Sequence, residues 1–232
     1  MRLHRTLSLL PLTVFVILLT SLAHADFQTG QDAHNRGDYA TALIEWRSLA
    51  ERGDAEAQYN LGVLYDQGHG VPQDYTQARA WWLKAAEQGD AAAQYNLGLL
   101  YNKGQGVPQD YSQARDWWLR AAAQGYAPAQ VDFGVLYNKG HGGPRDDLAA
   151  RDWFLKAAEQ GDADAKVKLG FLYHHRGVLQ DAVQAHMWMN LAGAQGHVGG
   201  VTQRDAVAKK MTSEQLIEAQ RLARDWWAQH QK

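Results

Sequence analysis

The sequence predicts an all-α solenoid in which helix–turn–helix units of 36 residues stack along the chain. Three observations lead to this fold class: a repeat of constant length, an apolar stripe with helical spacing in each repeat, and no segment with the alternating pattern of a strand. A single helix pair cannot bury its own apolar face, whereas stacked pairs bury a continuous core. The chain is therefore expected to fold as a stack of helix pairs.

Residues of one type recur every 36 positions over four successive blocks. The recurring positions are aspartates, glycines and tyrosines, namely Asp38, Asp74, Asp110 and Asp146; Gly53, Gly89, Gly125 and Gly161; Tyr65, Tyr101, Tyr137 and Tyr173. Unrelated positions would not stay in phase over four blocks. A fifth, degenerate half-unit follows a one-residue deletion, at residues 181–196.

Each unit is predicted to contain two helices, which we name first-type and second-type in chain order. In the second unit, Asp74 is placed to cap the first-type helix and Gly89 to end it. The apolar stripe of that helix has i, i+3, i+4, i+7 and i+8 spacing and consists of Ala78, Trp81, Trp82, Ala85 and Ala86.

A glycine recurs inside every second-type helix, where it costs about 1 kcal/mol relative to alanine. The recurring residues are Gly62, Gly98, Gly134 and Gly170. Because glycine has no Cβ, we expect two helices to approach each other closely at this position. In the first-type helix the two adjacent aromatic residues point about 100° apart. One ring is therefore expected to pack within its own helix pair and the other against the neighbouring unit.

The ends of the repeat array are predicted to differ from its middle. Residues 26–37 form a lone leading helix, residues 38–200 hold four full repeats and the degenerate fifth, and residues 201–232 form capping helices. The segment Thr212-Ser213-Glu214-Gln215 resembles a capping box that opens a final helix ending near Gln229.

The first 25 residues have the pattern of a cleavable signal peptide. Arg2 and Arg5 precede an apolar run of about 16 residues, and Ala23-His24-Ala25 is a small-x-small cleavage site. Such a run, interrupted by Pro11, is short for a membrane anchor. We therefore expect cleavage after Ala25, a periplasmic or secreted protein, and no membrane span after cleavage.

Composition argues against several function classes. The net charge of −2 is unlike that of a nucleic-acid binder, and the lack of cysteine excludes thiol catalysis, disulfides and cysteine metal sites. No two histidines have the one-turn helical spacing of zinc enzymes, so no metal site is predicted. The linkers at 68–73 and 104–109 lack the third glycine of a dinucleotide fingerprint, and no cofactor is predicted. His69 and His141, which occupy the same position in two of these linkers, are expected to be solvated turn residues.

The recurring residues resemble the Sel1-like repeat, a relative of the tetratricopeptide repeat. The pattern A-x-x-W-[WF]-x-[KR]-A-A-x-Q-G, followed by A-x-x-x-[LF]-G-x-L-Y-x-x-G-x-G-V, covers about residues 38–196. The resemblance implies a right-handed α/α superhelix and a non-enzymatic adaptor that holds a protein or peptide partner. In exported bacterial members it implies a role in envelope assembly, polysaccharide machinery, signalling or host contact. Two departures are Glu45, in place of the first aromatic residue, and residues 174–180, which lack the Gly-x-Gly turn.

The candidate partner-binding residues lie beside the apolar stripe of the first-type helices. First-type helices usually line the concave side of a solenoid, and extended concave surfaces bind peptides. The predicted partner-binding residues are Gln77, Lys84, Gln113, Asp116, Arg120, Asp152 and Lys156. The basic column within this set also has a structural explanation, in i,i+4 ion pairs on one helix. A second column, Arg79, Arg115 and Arg151, is also explained by packing along aromatic rings.

Two other function classes stay open. The resemblance extends to exported proteins with cysteine-rich repeats that are linked to penicillin binding or β-lactam hydrolysis, which makes an enzyme acting on cell-wall precursors or β-lactams one alternative. Against it, the three serines after Ala25 (Ser48, Ser112 and Ser213) do not begin an S-x-x-K motif. The other alternative is a carbohydrate-binding module that uses exposed tryptophans.

Overall fold

The structure is a computed structural model that describes residues 27–175 and 181–230. Within these ranges it has twelve helices and no strand, which confirms the predicted all-α fold class. Helix α1 covers residues 27–35, and the others are α2 (Tyr39–Glu51), α3 (Ala55–Gln67), α4 (Tyr75–Glu87), α5 (Ala91–Lys103), α6 (Tyr111–Ala123), α7 (Ala127–Lys139), α8 (Asp147–Glu159), α9 (Ala163–His175), α10 (Ala182–Ala194), α11 (Val198–Ala208) and α12 (Ser213–His230).

The predicted signal peptide at 1–25 lies outside the described residues. So do residues 176–180 of the linker that lacks the Gly-x-Gly turn. The described chain forms two compact units, of which the first ends at Ala93 and the second begins at Gln94. The first-type helices are α2, α4, α6, α8 and α10, and the second-type helices are α3, α5, α7 and α9.

Aspartate caps open the first-type helices, as the sequence predicts. The carboxylate of Asp74 accepts hydrogen bonds from the backbone N–H groups of Thr76 and Gln77, at 2.8 and 3.0 Å. Asp110 and Asp146 make the same pair of bonds at the starts of α6 and α8. Each cap satisfies backbone donors that have no partner within the helix.

The recurring glycine of each second-type helix lies against the following first-type helix. A Cβ on Gly62 would overlap the indole of Trp82, and a Cβ on Gly98 would overlap the indole of Trp118. A Cβ on Gly134 would lie 2.6 Å from the ring of Phe154. The predicted close approach is therefore confirmed, and its partner is the second aromatic residue of the adjacent pair.

A hydrogen bond fixes the orientation of the packed indole in both compact units. In the first unit the Trp82 indole N–H donates to the carbonyl oxygen of Tyr59 at 3.1 Å. In the second unit the Trp118 indole N–H donates to the carbonyl oxygen of Tyr95 at 3.0 Å. Both acceptors lie three residues before the glycine, so one turn of the second-type helix supplies both the space and the acceptor.

The two rings of an aromatic pair differ in exposure. The ring of Trp118 is buried, with 2% of its surface exposed, whereas its neighbour Trp117 is half-buried. The expectation that one ring packs within its own helix pair and the other against the neighbouring unit does not describe the pair in α8, where both rings contact the preceding second-type helix. Here Trp153 meets Phe133 of α7 edge-on, at 5.1 Å between ring centroids, and Phe154 packs on the same helix.

A buried glutamine in the second-type helix forms a further link between neighbouring helices. The side chain of Gln58 donates to the carbonyl oxygen of Ala50 at 3.0 Å and accepts from the side-chain amide of Gln88 at 2.8 Å. Gln130 makes the same two bonds in the second unit, at 3.2 and 2.8 Å. Each buried amide is thus satisfied, which avoids the cost of an unpaired polar group.

Both ends of the described chain reuse elements of the repeat. A Cβ on Gly30 of α1 would overlap the indole of Trp46, so α1 takes the place of a second-type helix before α2. At the other end, Thr212 and Gln215 exchange the hydrogen bonds of the predicted capping box, at 2.9 and 3.3 Å. The final helix α12 covers Trp188 with Trp226, whose rings meet edge-on at 5.5 Å.

The linker histidines are half-buried and packed, which corrects the expectation of solvated turn residues. His69 stacks on Tyr39 with ring centroids 4.1 Å apart, and His141 stacks on Tyr111 at 4.3 Å. The linker after a second-type helix thus folds back on the start of the preceding first-type helix. A flat ring at this position adds contact area that a chain reversal alone would not supply.

Substitution of the two adjacent tryptophans of α6 separates packing from exposure. We expect Trp118→Ala to lower the free energy of unfolding by about 3–5 kcal/mol, because it leaves a cavity against Gly98. Trp117→Ala should cost about 1 kcal/mol or less, since this ring is half-exposed. Urea denaturation of both variants measures the difference, and equal losses would contradict the packing described here.

Candidate functional site

The seven sequence-predicted site residues are all exposed on first-type helices. Gln77 and Lys84 lie on α4 in the first compact unit. The other five lie on α6 and α8 in the second compact unit, namely Gln113, Asp116, Arg120, Asp152 and Lys156. Each is therefore available to solvent, in the manner expected of partner-binding side chains.

The basic residues of this set lie over the first ring of each aromatic pair. The Lys156 ammonium is 3.9 Å from the ring centroid of Trp153, and the Lys84 ammonium is 4.0 Å from that of Trp81. The Arg120 guanidinium lies 4.6 Å from the ring centroid of Trp117. Each such contact is worth about 0.5–1 kcal/mol at an exposed site. The i,i+3 spacing of aromatic residue and cation could have indicated this arrangement from the sequence.

The ion pairs proposed for this basic column are not the contacts that the structure gives to α8. The carboxylate of Asp152 pairs with the adjacent Arg151 at 2.7 Å, while Lys156 lies over an indole. The three cations thus have aromatic partners on their own helices. This reduces their value as evidence for a ligand.

Within the arginine column, Arg115 packs on an aromatic ring, which agrees with the explanation given from the sequence. Arg115 donates to the hydroxyl oxygen of Tyr137 at 2.9 Å and to the carbonyl oxygen of Gly142 at 3.3 Å, with its guanidinium 4.9 Å from the tyrosine ring centroid. In the first unit Arg47, which lies outside this column, donates to the hydroxyl oxygen of Tyr65 at 2.7 Å. These contacts join a first-type helix to the second-type helix that follows it.

Two adjoining clefts lie mainly on the second-type helices of the second compact unit, with Tyr111, Trp118 and Phe154 of the first-type helices also in their linings. One has a volume of about 550 Å³, with a floor that includes Leu99 and Leu136 and a rim that includes Lys103. The other has a volume of about 310 Å³ and is lined by Phe171, Leu172 and polar residues. The clefts adjoin because both are lined by Val135 and Lys139. None of the seven predicted residues lines either cleft.

The rim of these clefts changes from one helix to the next. One register position, repeated every 36 residues, holds Asn96, Asp132 and Lys168 on α5, α7 and α9. Asp132 lines the larger cleft and Lys168 the smaller one. Variation at an otherwise regular position is what a non-repetitive ligand requires, and here it lies on the second-type helices rather than on the predicted first-type face.

Burial sets the electrostatics of Asp132. Its carboxylate accepts a hydrogen bond from the Tyr95 hydroxyl at 3.0 Å. Burial raises the pKa of Asp132, and the hydrogen bond from Tyr95 and the charges of Lys168 and Lys103 offset only part of this effect. Burial and the neighbouring carboxylate also raise the pKa of Tyr95. The direction of this shift predicts that ionisation of Asp132 lowers the stability of the fold.

The arrangement is suited to binding. Within residues 27–175 and 181–230, no three histidine or acidic side chains are grouped so that they could hold a metal ion. In the same ranges no helix is both long and apolar enough to cross a membrane. The two clefts offer an apolar floor and a charged rim, which are the features of a surface that recognises another molecule.

A family model described as Sel1 repeat matches residues 55–90, 91–126, 127–162 and 163–197. The matched repeats have the period predicted from the sequence, but each begins at a second-type helix. This frame agrees with the glycine–tryptophan contact, which joins a second-type helix to the first-type helix that follows. No match is found among proteins with curated descriptions.

Solved structures with the same fold include two proteins of substantial sequence identity. A protective antigen of uropathogenic Escherichia coli with an SLR fold is 36% identical, with a TM-score of 0.80, over 90% of this chain and 46% of that chain. This chain thus spans about half the length of that relative. A Sel1 repeat protein of Oxalobacter formigenes is 34% identical, with a TM-score of 0.69, over 75% of this chain and 72% of that chain.

A third structural match shows the fold alone. It is an immunity protein of Pseudomonas aeruginosa, 22% identical with a TM-score of 0.51, over 77% of this chain and 68% of that chain.

Replacement of Asp132 tests whether the cleft carboxylate lowers the free energy of unfolding. The ordinary pKa of aspartate is 3.8, and burial raises the pKa of Asp132 above it. Ionisation of Asp132 therefore does not lower the free energy of unfolding below that pH, and the loss grows as the pH rises through the folded-state pKa. We expect Asp132→Asn to raise the free energy of unfolding at pH 7 by on the order of 1 kcal/mol. The gain should disappear near pH 3.

Asparagine is the natural residue at the equivalent position of α5, Asn96, so the variant keeps the acceptor for Tyr95. The exposed Asp116→Asn is the matched control and should change stability by less than about 0.5 kcal/mol at either pH. Urea denaturation at the two pH values gives both differences. A loss of stability in Asp132→Asn at pH 7 would show that the carboxylate is a structural group.

Proposed function

Because the chain belongs to the Sel1 repeat family, we propose that it is a non-enzymatic scaffold that holds a partner protein on its second-type helices. Sel1 repeat proteins bind protein partners and are in general scaffolds without enzymatic activity. The observation that carries the location is the pair of adjoining clefts between α5, α7 and α9 in the second compact unit.

The lining of the clefts favours an acidic, amphipathic segment of the partner. Lys103, Lys139 and Lys168 bring three positive charges to the rims, and all three side chains are exposed. Between them, apolar side chains such as Val135 and Phe171 form the floor. Carboxylates of the partner would pair with the lysines, while its apolar side chains would enter the floor.

The cost of Asp132 supports a binding role for this face. A half-buried carboxylate whose pKa is raised by desolvation is expected to lower stability, and the same register position accepts asparagine in α5. Proteins keep such groups where a ligand uses them. We propose that Asp132 receives a hydrogen-bond donor from the bound partner.

The surface predicted from the sequence is a second location for the same function. It consists of Gln77, Lys84, Gln113, Asp116, Arg120, Asp152 and Lys156 and stays a prediction. Its exposure supports it, whereas the aromatic partners of its cations weaken it. Its residues are therefore the natural controls for the second-type face.

We further propose that the scaffold works in the bacterial cell envelope. The support is the signal-peptide pattern of residues 1–25, which would direct export to the periplasm or the medium. Assembly of polysaccharide machinery is one setting in which exported repeat scaffolds would act. The mature protein is expected to begin at Asp26, which N-terminal sequencing checks.

Matched charge reversals test which face holds the partner. Lys139→Glu with Lys168→Glu changes the cleft rim, and Arg120→Glu with Lys156→Glu changes the first-type face by the same charge. All four side chains are exposed, so the folds are expected to survive, as melting curves check. Each mature protein is used to capture proteins from an envelope extract, and the captured proteins are quantified by mass spectrometry.

We expect the cleft variant to bind its specific partners with an affinity lower by about tenfold or more, which corresponds to a loss of about 1.4 kcal/mol, and therefore to capture smaller amounts of them. The first-type variant should retain them. The opposite result would place the partner on the face predicted from the sequence. Equal capture by the unmodified protein and by both variants would contradict a partner site on either face.

A further inference from the structure

A third cleft, with a volume of about 980 Å³, lies at the carboxyl end of the second compact unit. Its walls come from the end of α8, the start of α9, the residue that follows α10, and the final helix α12. It shares no lining residue with the two clefts on the second-type helices.

A lysine replaces the repeated glutamine at this cleft. The register position that holds Gln58, Gln94 and Gln130 holds Lys166 in α9. All four side chains are buried, and that of Lys166 is 1% exposed. A neutral amide satisfies this position in the other repeats, so packing alone does not call for a charge.

The contacts of Lys166 leave its charge without an anion. Its ammonium donates to the side-chain oxygen of Gln195 at 2.6 Å and makes a long contact of 3.5 Å with the carbonyl oxygen of Gly161. It also lies 4.9 Å from the ring centroid of Trp226. No ion pair of Lys166 is found within the described ranges. Burial lowers the pKa of Lys166, and the charge of Asp162 opposes this only in part. A buried cation without a counter-ion is costly, and an anion placed with good geometry offsets part of that cost.

Two indoles of α12 supply flat apolar walls. Trp226 is held between the edge of Trp188, at 5.5 Å, and the stacked ring of His230, at 4.1 Å. Its neighbour Trp227 is 37% exposed and also lines the cleft. Exposed aromatic surface beside a buried cation suits a ligand with an apolar body and one anionic group.

We propose that this cleft binds a small organic carboxylate, whose anionic group faces Lys166 and whose apolar body packs on Trp226 and Trp227. The exposed Glu159 on the rim repels a second negative charge, so a monoanion is favoured. Such a group is supplied either by a free carboxylic acid or by the carboxyl-terminal residue of a peptide. The site is independent of the scaffold function proposed above.

Titration with matched acid and amide probes tests the assignment. Benzoate represents a free acid and is compared with benzamide. N-acetyl-alanyl-phenylalanine represents a peptide carboxyl terminus and is compared with its carboxyl-terminal amide. Binding to the mature protein is measured by calorimetry and by tryptophan fluorescence, and the tighter acid identifies the source of the carboxylate.

Lys166→Gln is the decisive variant, because it restores the residue of the other repeats and its side-chain amide can form a hydrogen bond with Gln195. We expect it to keep the melting temperature and to lose about tenfold or more in affinity for the acid. Trp227→Ala, at a partly exposed position, should also weaken binding. Lys210→Gln, which removes an exposed lysine outside the cleft, should leave the affinity within about twofold.

Three outcomes would overturn the proposal. The first is equal binding of an acid and its amide, and the second is unchanged acid binding by folded Lys166→Gln. The third is the absence of binding by both acids at millimolar concentration. Should Lys166→Gln fail to fold, unchanged acid binding by Trp227→Ala would overturn it in the same way.

Discussion

The contact between a second-type glycine and the aromatic residue of the next helix is the constraint on which the other features depend. It brings the helices together where any side chain on the glycine would overlap the ring, as between Gly98 and Trp118. The ring differs between repeats, since Phe154 fills the same place against Gly134. The glycine does not change along the repeats, because the space between the two helices is set by its missing Cβ.

This contact also decides which surfaces are left for recognition. The second aromatic residue is buried, so the first remains half-exposed beneath a cation, as Trp117 does beneath Arg120. On the second-type helices, one register position differs between repeats and carries Asn96, Asp132 and Lys168, of which the last two line the clefts. In the second compact unit, regular packing thus supports an irregular rim, which is the combination that a repeat scaffold needs.

The sequence predicted helices and their caps better than it predicted which helices pair. Asp74 and the capping box near Thr212 follow from local chemistry and are seen as expected. Gly98 indicated a close approach, but spacing within one helix does not say which helix approaches it. Which two helices pack together as one repeat depends on tertiary contacts, and so does the face that is left for binding. The packing of His69 on Tyr39 was missed for the same reason.

The central claim is tested most directly by a double-mutant cycle of Gly98→Ala and Trp118→Ala, measured by urea denaturation. In the presence of the indole, the added methyl group should lower the free energy of unfolding by about 1–3 kcal/mol. In the Trp118→Ala background the same change should raise it by about 1 kcal/mol, because alanine favours the helix. A stabilising effect of Gly98→Ala of equal size in both backgrounds would contradict the account.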